Sequence, residues 1–156
     1  MRLLSAFLLA AALCGCGNTA HEYLADARQD LADAAYPAAI AAADAGLRET
    51  PGAKARWGLE LVKLEAHARA GQGEETKGQL EKLVGLFPDR VPATQYSATA
   101  DQLRSVGQGA VAIEVLDMGV QHYPGNPTLE RLIGASQSGE PDSAELEMLR
   151  TLGYIE

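Results

Sequence analysis

The chain has 156 residues, a formal net charge of −8, 47% hydrophobic residues and only 5% aromatic ones. One domain of ordinary size is expected, with a core of Ala and Leu rather than rings, a composition that suits closely packed helices. The 13 Lys and Arg are scattered, so nucleic acid is not an expected partner, and the acidic balance works against adsorption to anionic lipid head groups.

Met1 to Gly17 has a cationic start at Arg2, an apolar run from Leu3 to Leu13, and then Leu13-Cys14-Gly15-Cys16. This is the pattern of an export signal, and the run has about half of the roughly 20 residues that a membrane span needs. The segment Leu13 to Cys16 resembles the bacterial lipoprotein box, with an aliphatic residue three before the lipidated Cys and a small one directly before it. Cys16 fits that pattern; Cys14 does not, because bulky Leu13 precedes it, and Cys14 itself stands where Ala or Ser is commoner. The resemblance implies a removed signal over residues 1–15, a lipid on Cys16 and a short linker over 16–20. Two acyl chains anchor a protein stably. Gly17, where Asp resembles an inner-membrane retention signal, favours the outer membrane.

Thr19-Ala20-His21-Glu22 has capping-box spacing and predicts a first helix from there to about Ala34. Pro37 stands in the first turn of a second helix running to Arg48, with Ile40, Ala43 and Leu47 on one stripe, and Thr50-Pro51-Gly52 ends it. Inward faces follow at Leu59, Val62 and Ala66; at Leu80, Leu83, Val84 and Phe87; at Leu103 and Val106; and at Val111, Val115, Leu116 and Val120. Asn126-Pro127 opens a helix over about Thr128 to Ala135, Ser136 to Pro141 reads as a polar linker, and Asp142 with Glu145 caps a last helix broken by Gly153.

Pro51, Pro88 and Pro124 are spaced by 37 and 36 residues, and the same spacings relate Ala39, Thr76 and Ala112, then Leu47, Val84 and Val120. Ala34, Gly71 and Gly107 stand at the bend of each unit. The pattern resembles the tetratricopeptide repeat, a helix-turn-helix unit with small residues at the crossing and Pro after the second helix. The first unit carries Tyr23, Ala27, Ala35-Tyr36-Pro37, Ala39-Ile40, Leu47 and Pro51, and the third carries Tyr96, Ala100, Gly107, Ala112-Ile113, Gly119-Val120 and Tyr123-Pro124. The middle unit departs from it at Thr76, and Trp57 falls a few residues before the aromatic position. The resemblance covers about residues 20–135. It implies an all-α, right-handed α-solenoid of about three hairpins (20–53, 57–90, 93–126) within a repeat domain 21–135. A cap over 127–135 covers its open end, and residues 136–156 form a linker and C-terminal helix.

A catalytic reading finds little support. His21, His67 and His122 fall on different helices without metal-ligand spacing, and Gly71-Gln72-Gly73 and Gly107-Gln108-Gly109 read as inter-helix turns. Neither metal nor cofactor is expected. Glu74-Glu75 and Glu145 suit helix starts, where carboxylates meet the positive dipole end. The tail from Glu145 to Tyr154 is similar to a short closing segment of some sulfatase-like and repeat-containing bacterial chains, and also reads as an amphipathic helix folded over the last apolar groove.

In tetratricopeptide stacks the first helices line a groove for a protein partner. The matching positions here are Leu24, Arg28 and Leu31; Leu61, Glu65 and Arg69; and Ser97, Asp101 and Arg104. Three arginines on one wall suit an acidic segment, whereas pairing of Glu65 with Arg69 and of Asp101 with Arg104 is the bland alternative. The chaperone-tail clamp of this family is missing, since Ala25, Val62 and Ala98 occupy some of its positions. The resemblance therefore implies a non-enzymatic protein-protein interaction adaptor or scaffold, lipid-anchored in the bacterial envelope and facing the periplasm. The alternative is a glycan or small-ligand binder or an accessory subunit of a sulfatase-like envelope hydrolase, although the single Trp offers little stacking surface. Oligomeric state is left open.

Overall fold

A computed structural model describes residues 19–138 and 141–156. The expected signal and lipidated Cys16 lie outside the described residues. Among those residues the chain is all-helical: α1 (Ala20–Ala32), α2 (Tyr36–Arg48), α3 (Ala53–Arg69), α4 (Gly73–Leu86), α5 (Ala93–Ser105), α6 (Gly109–His122), α7 (Pro127–Ser138) and α8 (Ser143–Thr151). No helix among the described residues is long and apolar enough to cross a membrane.

Local chemistry sets the helix ends. Thr19 and Glu22 cap each other at α1: the Thr19 amide donates to Glu22 Oε2 (2.5 Å) and the Glu22 amide to Thr19 Oγ1 (3.4 Å). Hydrogen bonding of the carboxylate by the Thr19 amide, and to a lesser degree by its side chain, holds Glu22 below its ordinary pKa. Asp142 and Glu145 repeat the arrangement at α8, with the Ala144 and Glu145 amides each 2.9 Å from Asp142 Oδ1. The expected bends also recur as one geometry. Ala34, Gly71 and Gly107 have φ of 57°, 71° and 78°, and the next amide bonds back five residues, from Ala35 to Asp30 O (2.8 Å), Gln72 to His67 O (3.0 Å) and Gln108 to Leu103 O (2.9 Å). Each is a Schellman close, which satisfies carbonyls left open at a helix end. Gly153, with φ of 79°, ends α8 in the same way.

Three details differ from the sequence expectation. α1 stops at Ala32 because Ala34 is already in the left-handed conformation of the bend. Val106 becomes the C-cap of α5 and is 39% exposed rather than inward. α7 runs on through Ser138, with the Ser136 and Ser138 hydroxyls turned onto the carbonyls of Leu132 and Gly134 four residues back, so that they do not compete for the backbone as they would in a turn.

Odd-numbered helices lie side by side in chain order, α1 against α3, α3 against α5 and α5 against α7, while α4, α6 and α8 adjoin one another behind them. Two apolar clusters result. One gathers Leu24, Ala27, Leu31, Ala39, Ala43, Leu59, Val62 and Ala66; the other is built on Leu64, Leu80, Leu83, Tyr96, Leu103, Leu116, Leu129 and Ile133 with their neighbours. Each buried Leu contributes about 2 kcal/mol relative to leaving it in water. α3 belongs to both clusters, giving Leu59, Val62 and Ala66 to the first and Leu64 to the second.

Two helix crossings leave no room for a side chain. A Cβ on Gly46 would lie 2.9 Å from Tyr23 Cβ, and one on Gly119 2.9 Å from Tyr96 Cβ. In the middle unit the same offsets put Glu60 and Leu83 where those Tyr and Gly residues stand. The Glu60 side chain is 3% exposed and its carboxylate accepts from Lys82 Nζ (2.8 Å) and Gln79 Nε2 (2.7 Å), which ties α4 to α3. Tyr154, past α8, donates to Asp117 Oδ1 (2.6 Å) and accepts at its carbonyl from Gln137 Nε2 (3.1 Å), clasping the C-terminal tail to α6 and α7.

Ala34 is strained at a position where the other two bends carry glycine, so Ala34→Gly should raise stability by about 1 kcal/mol. Gly119→Ala should lower it by about 1–2 kcal/mol, the contact with Tyr96 outweighing the helix propensity gained. Urea unfolding of both variants checks the pair; a destabilised Ala34→Gly or an unchanged Gly119→Ala would contradict these packing assignments.

Candidate functional site

The wall formed by α1, α3 and α5 carries all nine residues expected to face a partner, and their environments differ. Leu24 and Leu31 are only 8% exposed and belong to the core that floors the wall. Arg28, one turn beyond Leu24, is exposed, and no carboxylate pairs with it among the described residues. Gly58 makes room for Leu24 beside it: a Cβ there would meet Leu24 Cδ2 at 2.9 Å, while Arg28 Nη2 would lie at an ordinary 3.5 Å. On α3, Leu61 is half-buried, and Arg69 Nη2 bonds Glu65 Oε1 at 2.5 Å, one helical turn apart. On α5, the Ser97 hydroxyl donates to the Thr94 carbonyl (3.1 Å), Asp101 is exposed, and Arg104 donates to Ser136 Oγ of α7 rather than to Asp101.

Three cavities follow one another along this wall. The first, of about 290 Å³ between α1 and α3, is lined by Arg28, Leu31, Lys54, Trp57, Gly58, Leu61, Val62 and Glu65. The second, of about 230 Å³ between α3 and α5, is lined by Leu61, Glu65, Gln95, Ala98 and Gln102. A small third one, about 60 Å³, lies between α5 and the start of α7 against Ala93, Thr94, Ser97, Asn126 and Thr128. Leu61 and Glu65 border both larger cavities, so the two are one depression crossing α3. Arg28, Leu31, Leu61 and Glu65 thus meet in one place and Ser97 lines the next, while Leu24, Arg69, Asp101 and Arg104 stand outside the linings.

Lys54, Trp57, Gln95 and Gln102 line the depression without having been anticipated. The spacing Lys54, Trp57, Leu61 and Glu65 runs at three- and four-residue steps along one helix face. That spacing is legible in the sequence, although Trp57 stands off the aromatic position of the repeat. Trp57 is half-buried, with its ring edge-on to Phe87 at 5.3 Å.

A larger concavity, about 480 Å³, opens on the other layer between α4, α5 and α6. It is lined by Glu81, Val84, Gly85, Tyr96, Met118, Gln121 and His122, none of them among the nine. The polar atoms at its floor satisfy each other: Tyr96 Oη lies 3.0 Å from His122 Nδ1, whose ring stacks on Tyr123, and Tyr123 Oη donates to the Val91 carbonyl. Size alone therefore does not favour it over the wall, where Arg28 and Lys54 pair with no carboxylate among the described residues and Gln95 spends one amide hydrogen on Thr99 Oγ1 (3.3 Å). Among the described residues no three His, Cys, Asp or Glu side chains converge as a metal-binding group. His67 and His122 are engaged with Gln72 and Tyr96 respectively.

No protein-family model matches the chain, and no curated protein or solved structure matches it significantly.

Burial pushes the Tyr96 hydroxyl from the ordinary 10.0 up to about 12, with a smaller contribution from Tyr123. Burial and the bond to Asp117 push Tyr154 up to about 12 as well. The unfolded chain gives up these protons first, so their stabilising effect is complete below about pH 10 and is lost as pH rises toward about 12. Urea midpoints measured between pH 9 and pH 12 should fall, and the fall should be shallower in Tyr96→Phe/Tyr154→Phe; equal slopes would remove these hydroxyls as the cause.

Proposed function

We propose that the chain is a lipid-anchored adaptor of the bacterial envelope, a tetratricopeptide-type α-solenoid that docks a segment of another protein along the wall of α1, α3 and α5. In this reading residues 1–15 are the removed signal, Cys16 carries the lipid, residues 16–20 are a tether, and the repeats begin at α1. The observation that carries the docking role is the depression across α3, where Leu61 and Glu65 are shared by two adjoining cavities. Its lining is apolar at Leu31, Leu61 and Val62, cationic at Arg28 and Lys54, acidic at Glu65, which Arg69 pairs, and hydrogen-bonding at Gln95 and Gln102. Such a lining suits holding a chain segment rather than transforming one.

The solenoid reading draws support from the order in which helices adjoin and from the recurring left-handed bend. The periodicity also continues past the third unit: α7 begins 34 residues after α5 and α8 begins 34 residues after α6. α8 adjoins α6 as α6 adjoins α4. The C-terminal segment is therefore read as a fourth, shortened unit that covers the stack's open end.

The tether from Cys16 to Thr19 reaches at most about 15 Å, so the adaptor would work close to the bilayer surface. The outer membrane is the favoured residence on the strength of Gly17, with the wall facing the periplasm.

Two experiments test this reading. Mass spectrometry of the mature protein should show acyl chains on Cys16, and Cys16→Ser should release the chain from the membrane fraction; an unmodified Cys16 would remove the anchor. Ala98 is exposed on the wall beside Gln95 and Gln102, so Ala98→Trp should fill the second cavity without disturbing the core. Cross-linking in native membranes should lose its partner in that variant, and undiminished capture would take the wall out of the function.

A further inference from the structure

Two features of the cavity between α1 and α3 have no role in holding the fold together. Lys54 lies in the first turn of α3, where the helix dipole disfavours a cation. No carboxylate pairs with Lys54 or Arg28 among the described residues. By contrast Lys63, Lys77 and Lys82 each bridge to a carboxylate of a neighbouring helix, and Arg69 bridges within its own. Arg48, Arg56, Arg90, Arg104 and Arg131 likewise bridge to no carboxylate among the described residues, but Arg28 and Lys54 are the two that line the cavities of this wall, and they flank one that Trp57 and Leu31 make apolar.

We infer that this cavity selects a peptide in which an acidic residue stands beside an aromatic or aliphatic one, the carboxylate between Arg28 and Lys54 and its apolar neighbour against Trp57. The inference rests on the docking role proposed above and names the ligand for it. Arg28 supplies a planar fork for the carboxylate, whereas Lys54 supplies a point charge. The neighbouring cavity then holds the peptide main chain, since the Gln102 amide can donate and accept, and Gln95, which gives one hydrogen to Thr99 Oγ1, keeps its oxygen and a second hydrogen. Asp101 is exposed one helical step from Ala98 and carries no cation among the described residues, so the far end of the ligand meets negative charge. With neighbouring helices about 9 Å apart and an extended chain rising about 3.3 Å per residue, crossing from α1 to α5 takes about six residues. The preferred ligand is thus an extended hexapeptide, acidic and apolar at one end and basic or neutral at the other.

Trp57 is the one tryptophan in the sequence, so its fluorescence reports on this cavity directly. The full chain, purified in a non-ionic detergent, is titrated with acetylated and amidated hexapeptides that carry a Glu-Phe pair at one end and Lys at the other, in both chain directions. Partners with Lys in place of Glu serve as controls. The expected result is a saturable change in Trp57 emission with the Glu-Phe peptides in one direction, weakened by added salt and at least about tenfold weaker with the controls. Arg28→Glu/Lys54→Glu should weaken binding about hundredfold, at about tenfold per charged contact. Glu at position 54 suits a helix start, so a loss there with unchanged circular dichroism is not unfolding. Equal binding of the Lys controls, an unaffected double variant, or no Trp57 response to any peptide would overturn the inference. Any of these, found while Ala98→Trp still abolishes partner capture, leaves the docking role standing with a different ligand; undiminished capture in Ala98→Trp removes both.

Discussion

α3 is buried on more than one side. A helix with a single apolar stripe can turn its other side to water, but α3 buries Leu59, Val62 and Ala66 against α1 and α2 while Leu64 enters the cluster built on α4 to α7. The two clusters are held in register by this one rod. Its outward residues inherit fixed positions as a result, and Lys54, Trp57, Leu61 and Glu65 form a line because the buried side determines the exposed one.

The middle unit shows how far a repeat can drift while its geometry persists. Where the first and third units set a tyrosine over a glycine, the second sets Glu60 near Leu83 and secures it with Lys82 and Gln79. A buried carboxylate is costly unless its acceptor sites are filled. Here both oxygens have donors, and among the described residues no buried side-chain N or O lacks a partner. The exchange replaces steric complementarity with charge, so the pairing of α3 with α4 rests on a different interaction from the pairings on either side of it.

Local chemistry made much of the fold legible. Both capping boxes, the three bends and the prolines closing the second helices rest on contacts within a few residues, and all the helices could be placed from them. Contacts between distant segments were not legible. Arg104 meets Ser136, a residue that reads as linker because serines favour turns, but that lies within α7 with its hydroxyl on the Leu132 carbonyl. Repeat position alone puts Arg28, Leu31, Leu61 and Glu65 on the same cavity wall but gives no reason to pick Lys54 or Trp57. Whether a cation is open depends on which acids come near it, and that is a property of the assembled chain.

The clasp of the C-terminal tail bears on how copies of this chain relate to one another. A row of helical pairs presents, at each extremity, the same kind of surface by which its members adhere, and an uncovered extremity invites another molecule to continue the row as an open filament. α8 lies over α6, and Tyr154 is bonded to Asp117 and Gln137. The surface of α6 and α7 that the tail occupies is thereby withheld from any second molecule, as a seat already taken.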